Sequence, residues 1–495
     1  MSATVADVPV NPVRRFVARL RTVSPWGRVL ALLVVGHAVW MSWLQVDLHN
    51  GLGTFGYDVG LYDQGIWLLS RGRAPFVTLM GRNLLGDHAS LILFLLVPLY
   101  WIVPGTPTLL VVQAVVIALG AVPVYLFARR VLGGGGWGVC AAVLWLANPA
   151  VNGTGMENFH PDSFLGLTVP LALWAAHERR WRWFAVAVGL SLLVKEDVLI
   201  LMVPLGAWVA WRLDRRRGVL TMAASVAATV LGMFVLMRSL IGVPTRNGWR
   251  IPFGGFGGLL RRSLTDPTEV GRYLLSEDRP LYVFQMLAPF AGVFAMAPWM
   301  SLVSLPVIAS NVLSTFFYQH SIQYHYSLVA VPALVFATVI GVGATAPRRR
   351  ALVMGVVVAA TCATFVLWGQ HPLAVHPRHV LSADAPVAVA GRRIIRQIPA
   401  DAVISVYDPL STHLAHRREV YFFPNPFRSL YYGDSQDNEK GARLPAADRV
   451  EWVVLPRALP AADAWDWAPE EPYFELVDYD EYWNVFRRKP ADRSP

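Results

Sequence analysis

Phe55-Gly56-Tyr57-Asp58-Val59-Gly60-Leu61-Tyr62-Asp63-Gln64 follows almost directly on the first long apolar run of the chain, residues 26–46. That run is long enough to cross a bilayer, at roughly 20 residues per crossing. The ten residues after it set two acids among glycines and aromatics where the chain leaves the membrane. Two readings are open for them. They form a solvated loop with two ordinary Asp residues, or an amphipathic segment that holds both acids at the membrane surface.

The rest of the chain narrows the choice. Of its 495 residues 55% are hydrophobic and 15% charged, and the apolar residues come in long runs. A polytopic membrane protein is the class that fits. A net charge of +10 would suit nucleic acid, but the Arg clusters sit at the ends of apolar runs. They follow the positive-inside rule, so no nucleic-acid partner is expected. Lysine occurs only as Lys195, Lys440 and Lys489, a usage that suits a high-GC bacterium and singles out Lys195. Cys140 and Cys362 both fall inside apolar runs, which argues against a disulfide framework or a thiolate metal site. Arg14, Arg15, Arg19 and Arg21 precede the first run, and no small-residue cleavage site follows it. Residues 1–25 therefore read as a basic cytoplasmic tail before a membrane anchor.

Charge also sets the topology. Residues 91–103 are apolar but only about a dozen long, and Pro104 closes them. If this segment does not cross, every short Arg cluster lands on one side: Arg129-Arg130, Arg179-Arg180, Arg212 with Arg215 to Arg217, and Arg348 to Arg350. The expectation is then about eleven crossings plus a juxtamembrane helix within residues 26–369, with the N-terminus inside. External loops fall at 47–90, 152–163, 195–197, 244–280 and 317–324. Residues 370–495 are richer in charge, Pro and Trp. Short β-like runs at 402–407, 450–455, 474–477 and 482–486 predict a small extracytoplasmic α/β domain. The fold class is thus an all-α polytopic membrane protein of the bacterial plasma membrane, with that domain appended.

This topology gathers an unusual polar set on the outer face. Asp58, Asp63, Asp87 and His88 come from the first loop, and Glu157, His160 and Asp162 from the second. Lys195-Glu196-Asp197 and the stretch from Tyr318 to Tyr326, with His320, Tyr324 and His325, complete it. Ionisable groups at membrane depth are costly and tend to face cavities. Simpler readings exist for each: Glu157 and His160 as a turn before a Pro161-opened helix, Lys195-Glu196-Asp197 as a self-neutralising tip, and His320 and His325 as interfacial residues. Acids with imidazoles suit acid–base work or a divalent metal, and spacing does not separate the two. Six arginines in 244–280, with Arg238 nearby, are either a self-paired surface or a grip on phosphate.

Several motifs together resemble the DUF2079 family of bacterial membrane proteins. They are Tyr57-Asp58-Val59-Gly60-Leu61-Tyr62-Asp63-Gln64, Gly86-Asp87-His88-Ala89-Ser90, Glu157-Asn158-Phe159-His160-Pro161, Lys195-Glu196-Asp197, Gln319-His320-Ser321-Ile322-Gln323-Tyr324-His325-Tyr326-Ser327 and Val420-Tyr421-Phe422-Phe423-Pro424-Asn425-Pro426. That family is in turn similar to GT-C glycosyltransferases, which take sugars from polyprenyl-phosphate carriers outside the cytoplasm. The resemblance implies a GT-C-like transmembrane domain that transfers a sugar to a cell-envelope glycan or lipid. Asp58 best matches the catalytic Asp of the first external loop, Glu157 and Asp162 lie where those enzymes often carry a second acid, and Asp63 is a further catalytic candidate. His88, Glu157, His160, Asp162, Lys195, Glu196, His320, Tyr324, His325 and Arg238 are the implied substrate-binding set. A divalent metal among the acids and imidazoles stays open. The usual tight Asp-Glu pair is absent, since Asp58 and Asp63 are spaced. A transporter or flippase for a lipid-linked solute, or a non-catalytic envelope assembly subunit, are the competing readings.

Overall fold

The computed structural model describes residues 24–242, 248–378, 381–431 and 440–490. The basic tail and Arg246 lie outside the described residues. The chain is a bundle of helices that carries a small sheet near its C-terminus. Helix α1 (Pro25–Asn50) is capped by the Ser24 side chain, which accepts from the Gly27 amide, and has Pro at its start. It keeps Trp26, Leu32, Val35, Val39 and Trp43 exposed, as a lipid-facing surface requires. Among the described residues five helices can each cross a bilayer by length and composition: Pro25–Asn50, Thr106–Leu132, Arg215–Ile241, His325–Ala344 and Pro347–Trp368.

The remaining expected crossings are shorter or broken, for identifiable reasons. Residues 281–297 do not form a single helix. Instead a helix over Arg279–Leu287 runs into Pro289, and Ala291 and Gly292 follow at positive φ. Proline inside the next run likewise divides 300–316, leaving Leu305–Leu313 as its only long piece. The segment after the first loop is short, as expected: Leu91–Leu96 is a tight 3-10 turn that passes into Val97–Ile102. At 1.5 Å per residue it reaches roughly 18 Å, well under the hydrocarbon thickness.

The helices share two ends. Thr106–Leu132 passes from Thr106, beside Asp63, to Arg129 and Arg130. Leu165–His177 leads away from Asp162 and stops where Glu178 faces Arg130 at 3.8 Å. Trp181–Leu192 returns to Lys195, and Leu199–Arg212 leads back to the arginine end. There Arg217 covers the Trp181 ring at 4.4 Å and Arg212 covers Trp299 at 4.7 Å. The Arg-bearing junctions thus collect at one end and the acidic and histidine junctions at the other.

The C-terminal sheet has five strands in the order β4-β3-β5-β7-β6. They are β3 (Ile404–Val406), β4 (Val420–Phe422), β5 (Trp452–Pro456), β6 (Phe474–Tyr479) and β7 (Trp483–Arg488), preceded by a two-residue hairpin pair β1 (Phe76–Val77) and β2 (Arg82–Asn83). β4, β3 and β5 are parallel, and β5, β7 and β6 antiparallel. The central strands are buried on both faces: β5 is almost wholly apolar, and Ser405, the one polar residue of β3, donates to the Asn425 carbonyl. The sheet docks on the first loop. The Thr78 hydroxyl donates to the Val420 carbonyl at 2.7 Å and accepts from its amide at 3.0 Å, and Tyr431 donates to the Thr78 carbonyl. One apolar core runs without a break from the membrane helices into Ile404, Val406, Val420, Val454 and Val485.

Candidate active site

The first loop turns sharply after Phe55. Residues Gly56–Gly60 make one wide helical turn, which passes into α2 (Leu61–Ser70) and holds Asp58 on its outer side. Gly56 is required there. Its amide donates to Asp408 Oδ1 at 2.7 Å, and a Cβ at Gly56 would lie 2.4 Å from Ser411 Oγ. The C-terminal region is therefore packed directly behind the turn that presents Asp58. The second acidic junction is placed by another close approach. A Cβ at Gly153 would lie 2.3 Å from the Ile322 carbonyl, so the helix Pro149–Met156 lies against residues 322–323 and ends with Glu157 beside His325.

These elements enclose a cavity of about 330 Å³ lined by Asp58, Tyr57, Tyr62, Arg82, Asp87 and His88 on one side. Glu157, His160, Asp162, Lys195, Arg250, Tyr324, His325 and Tyr326 line the rest. The Asn158 amide donates to Asp58 Oδ2 at 2.9 Å. His160 donates from Nδ1 to the Asn158 carbonyl, which leaves Nε2 as an acceptor 4.0 Å from Asp58 Oδ1. That tautomer follows from the hydrogen-bond network. The His160 and His325 rings stack at 3.9 Å. Glu157 receives the His325 backbone amide at 2.6 Å and faces His325 Nδ1 at 3.1 Å. Asp58 is the most open acid of this group, with 42% of its side chain exposed against 10% for Glu157, so it is the one that an incoming molecule meets.

Charge is partitioned across the cavity. Burial pushes the Glu157 carboxyl up to about 8, against the opposing pull of His160, so it holds a proton at neutral pH. Asp162 is equally deep, yet the Lys195 ammonium overcomes burial and holds it down at about 2. Lys195 in turn stays charged: burial acts to discharge it, but Asp162 at 3.9 Å and Asp197 at 3.6 Å raise it well above its usual value. His88 and Glu196 form an ion pair at 2.8 Å under the cavity floor. Burial opposes both charges, and the partner outweighs it, raising His88 and lowering Glu196 to about 2. The result is a neutral Glu157–His160–His325 group beside an open Asp58, facing cations at Lys195 and Arg250. Arg250 lies 4.1 Å above the Phe316 ring, and both cations approach the Tyr326 ring.

Glu157, His160 and His325 offer ligand atoms within 4.8 Å of one another. In distance they are close to a set for a divalent ion. In direction they are not, since the nitrogen lone pairs of two stacked rings lie in separate, nearly parallel planes and one ion cannot sit in both. An ion roughly 2.1 Å from each nitrogen requires the rings to unstack.

A family model described as "Predicted membrane protein (DUF2079)" matches residues 48–485. The chain belongs to the DUF2079 family. Two solved structures share its fold, both of ArnT from Cupriavidus metallidurans. The one bound to undecaprenyl phosphate is 13% identical, with a TM-score of 0.54 over 94% of this chain and 100% of that one. The apo form is 14% identical, with a TM-score of 0.56 over 93% and 99%. The DUF2079 chain is thus a multi-pass membrane protein of GT-C-like fold. No curated protein matches its sequence.

Several residues expected at the site of this DUF2079 protein lie elsewhere. Asp63 does not line the cavity. It is buried on the far side of α2, where its carboxylate accepts from Tyr100 at 2.7 Å, Thr106 at 2.7 Å and His416 at 2.8 Å. Its position five residues after Asp58 turns it away on the helix, and its lone pairs are committed to tying three segments together. Arg238 is exposed near the end of Arg215–Ile241, outside the cavity. His320 is buried beside Glu277 at 3.7 Å and also does not reach it. Glu196 acts from below, through His88. Conversely, Tyr57, Arg82 and Tyr326 line the cavity without having been singled out, and Arg250 is the one arginine of the 244–280 loop that lines it among the described residues. Arg82 pairs with Asp87 at 2.9 Å and donates to the Tyr57 hydroxyl. The sequence signal for it was weak, one Arg among many.

Proposed function

We propose that this protein transfers a sugar from a polyprenyl-phosphate carrier to a hydroxyl of a cell-envelope acceptor, on the outer face of the bacterial plasma membrane. The observation that carries this reading is the cavity itself: an open carboxylate at Asp58 faces two cations, the buried Lys195 and the half-buried Arg250, across one space. The GT-C-like fold adds support, since the ArnT structure with the same architecture was solved bound to undecaprenyl phosphate.

In this reading the acceptor oxygen attacks the anomeric carbon while the bond from that carbon to the phosphate oxygen breaks. Asp58, held by Asn158, takes the acceptor proton. The bonding pair leaves on the carrier phosphate, whose charge Lys195 and Arg250 balance. Glu157 is protonated and with His160 and His325 offers hydrogen bonds to the sugar or acceptor hydroxyls. No step is routed through a metal.

The test is transfer of a radiolabelled sugar from a polyprenyl-phosphate donor into envelope lipid and glycan fractions by purified, reconstituted protein. Asp58→Asn should lose roughly 10²–10⁴-fold in turnover. A folded Asp58→Asn protein that transfers at the wild-type rate removes the assignment, and a wild-type protein that moves donor across vesicles without transfer favours a flippase.

A further inference from the structure

Outside the cavity, one segment presents apolar surface that nothing in the catalytic reading uses. Helix α3 (Phe256–Thr265) has the sequence Phe-Gly-Gly-Leu-Leu-Arg-Arg-Ser-Leu-Thr. Phe256, Leu260 and Leu264 recur every fourth residue and so fall within an arc of roughly 80°. They are 72%, 54% and 78% exposed. Arg261 and Arg262 stand on either side of the opposite face, and the helix contains no acid. Such a helix gains nothing from water on its apolar face.

The position of the segment says what covers that face. It is fixed to the end of the bundle that carries the cavity. Tyr273 donates to the Leu313 and Ser314 carbonyls at 3.1 Å, and the buried Arg279 donates to Val312 at 2.9 Å. The Thr315 amide donates to the Arg250 carbonyl at 2.8 Å. The apolar helices that bracket the segment in sequence are themselves lipid-facing. Phe234, Val235 and Leu240 are exposed on Arg215–Ile241, and Leu281 and Phe284 on Arg279–Leu287. The stripe thus lies on a segment tied to the cavity end of the bundle, and the helices that flank it in sequence both expose apolar side chains. Arg262 pairs with Glu269 at 2.9 Å, and Arg261 complements phospholipid headgroups and can extend to them from a helix whose other face is in acyl chains.

We infer that α3 is a bilayer-interface anchor, lying in the membrane plane with Phe256, Leu260 and Leu264 among acyl chains and Arg261 at the headgroup phosphates. Gly254 and Gly255, both at positive φ, join it to the Trp249–Arg250 turn, so the same segment that seats on lipid also supplies Arg250 to the cavity wall. This inference rests on the membrane fold and stands whether or not the protein transfers sugar.

Spin labels test it in full-length protein reconstituted into phosphatidylcholine–phosphatidylglycerol vesicles. In a Cys140→Ala, Cys362→Ala background, one label is placed at Leu264→Cys and another at Thr265→Cys, which is exposed on the polar face. The label at 264 is expected to collide several-fold more with oxygen than with a water-soluble nickel chelate, and the label at 265 to show the reverse. Equal access of the chelate to both positions overturns the anchor, because the stripe then faces water. Occlusion of position 264 from both reagents also overturns it, because protein then covers the stripe, as in a contact with a second copy or another chain.

Discussion

Asn158 and Asp58 are 100 residues apart in sequence and joined by one hydrogen bond, from the Asn158 amide to Asp58 Oδ2 at 2.9 Å. That bond orients the open carboxylate while leaving Oδ1 toward the cavity. Asn158→Leu removes the donor and retains bulk. It is expected to lower turnover roughly tenfold with little change in KM, because it misaligns the base without touching the carrier site. Steady-state transfer kinetics of the reconstituted variant check this. A rise in KM at unchanged turnover would place Asn158 in binding instead.

Glu157 makes stability depend on pH in a defined direction. The folded protein keeps its proton up to about pH 8, whereas an ordinary glutamic acid releases it near 4.5. Between those values the folded state binds the extra proton, so stability falls as pH rises, and the loss levels off above about 8. Asp162 and Glu196, both held at about 2, act oppositely: their contribution is present above their unfolded values and is lost as pH falls toward 2. Glu157→Gln should flatten the decline between pH 4.5 and 8 and leave the acid limb unchanged. Thermal unfolding of the detergent-solubilised pair across pH measures it.

Lys195 and Arg250 should differ as variants although both face the cavity. Arg250 sits on aromatic rings at the cavity wall, and Arg250→Ala is expected to weaken carrier binding roughly 10–100-fold, the value of a charge-assisted hydrogen bond. Its melting temperature should move little. Lys195→Met instead strands Asp162 and Asp197 without their buried cation, a loss of about 3 kcal/mol or more in stability. Donor-binding titrations beside thermal unfolding separate the two outcomes.

Gly56→Val tests whether the C-terminal region supports the Asp58 turn. The added side chain would collide with Ser411 and Asp408, costing about 1–3 kcal/mol if the packing yields. Protease sensitivity is expected to rise within residues 381–431, together with loss of transfer. An undisturbed digest with normal activity would show that the two regions move independently.

The stacked His160–His325 pair predicts that chelation is harmless. Protein treated with EDTA should retain its transfer rate, and added zinc should inhibit by unstacking the rings. Restoration of activity by a divalent ion after EDTA treatment would instead make Glu157, His160 and His325 its ligands.

Much of this was legible before any coordinates. Apolar run length and Arg placement identify a multi-pass protein and give the two ends, because those signals are local and repeated. The motifs carrying Asp58, His88, Glu157, His160, Asp162, Lys195, Tyr324 and His325 do meet at one cavity. Asp63 was misjudged because nearness in sequence is not nearness in space on a helix: α2 turns it toward Tyr100, Thr106 and His416. Strand β4 was missed because three residues beside Arg417-Arg418-Glu419 carry too little periodicity to stand out. The broken helices of 281–316 follow from prolines and positive-φ residues whose effect depends on the neighbours that accept the break.

The sequence by itself determined that this chain lives in a bilayer, which junctions share a side, and which residue types gather there, since hydrophobic length and charge bias act without tertiary contacts. Only the tertiary structure decided which of two acids in Phe55-Gly56-Tyr57-Asp58-Val59-Gly60-Leu61-Tyr62-Asp63-Gln64 faces the cavity. Asp58 is turned to the open space by a glycine that lets Asp408 approach, and Asp63 is turned inward and satisfied by three donors. That choice depends on backbone approaches and hydrogen bonds between segments from 37 to 353 residues apart, which no local pattern encodes.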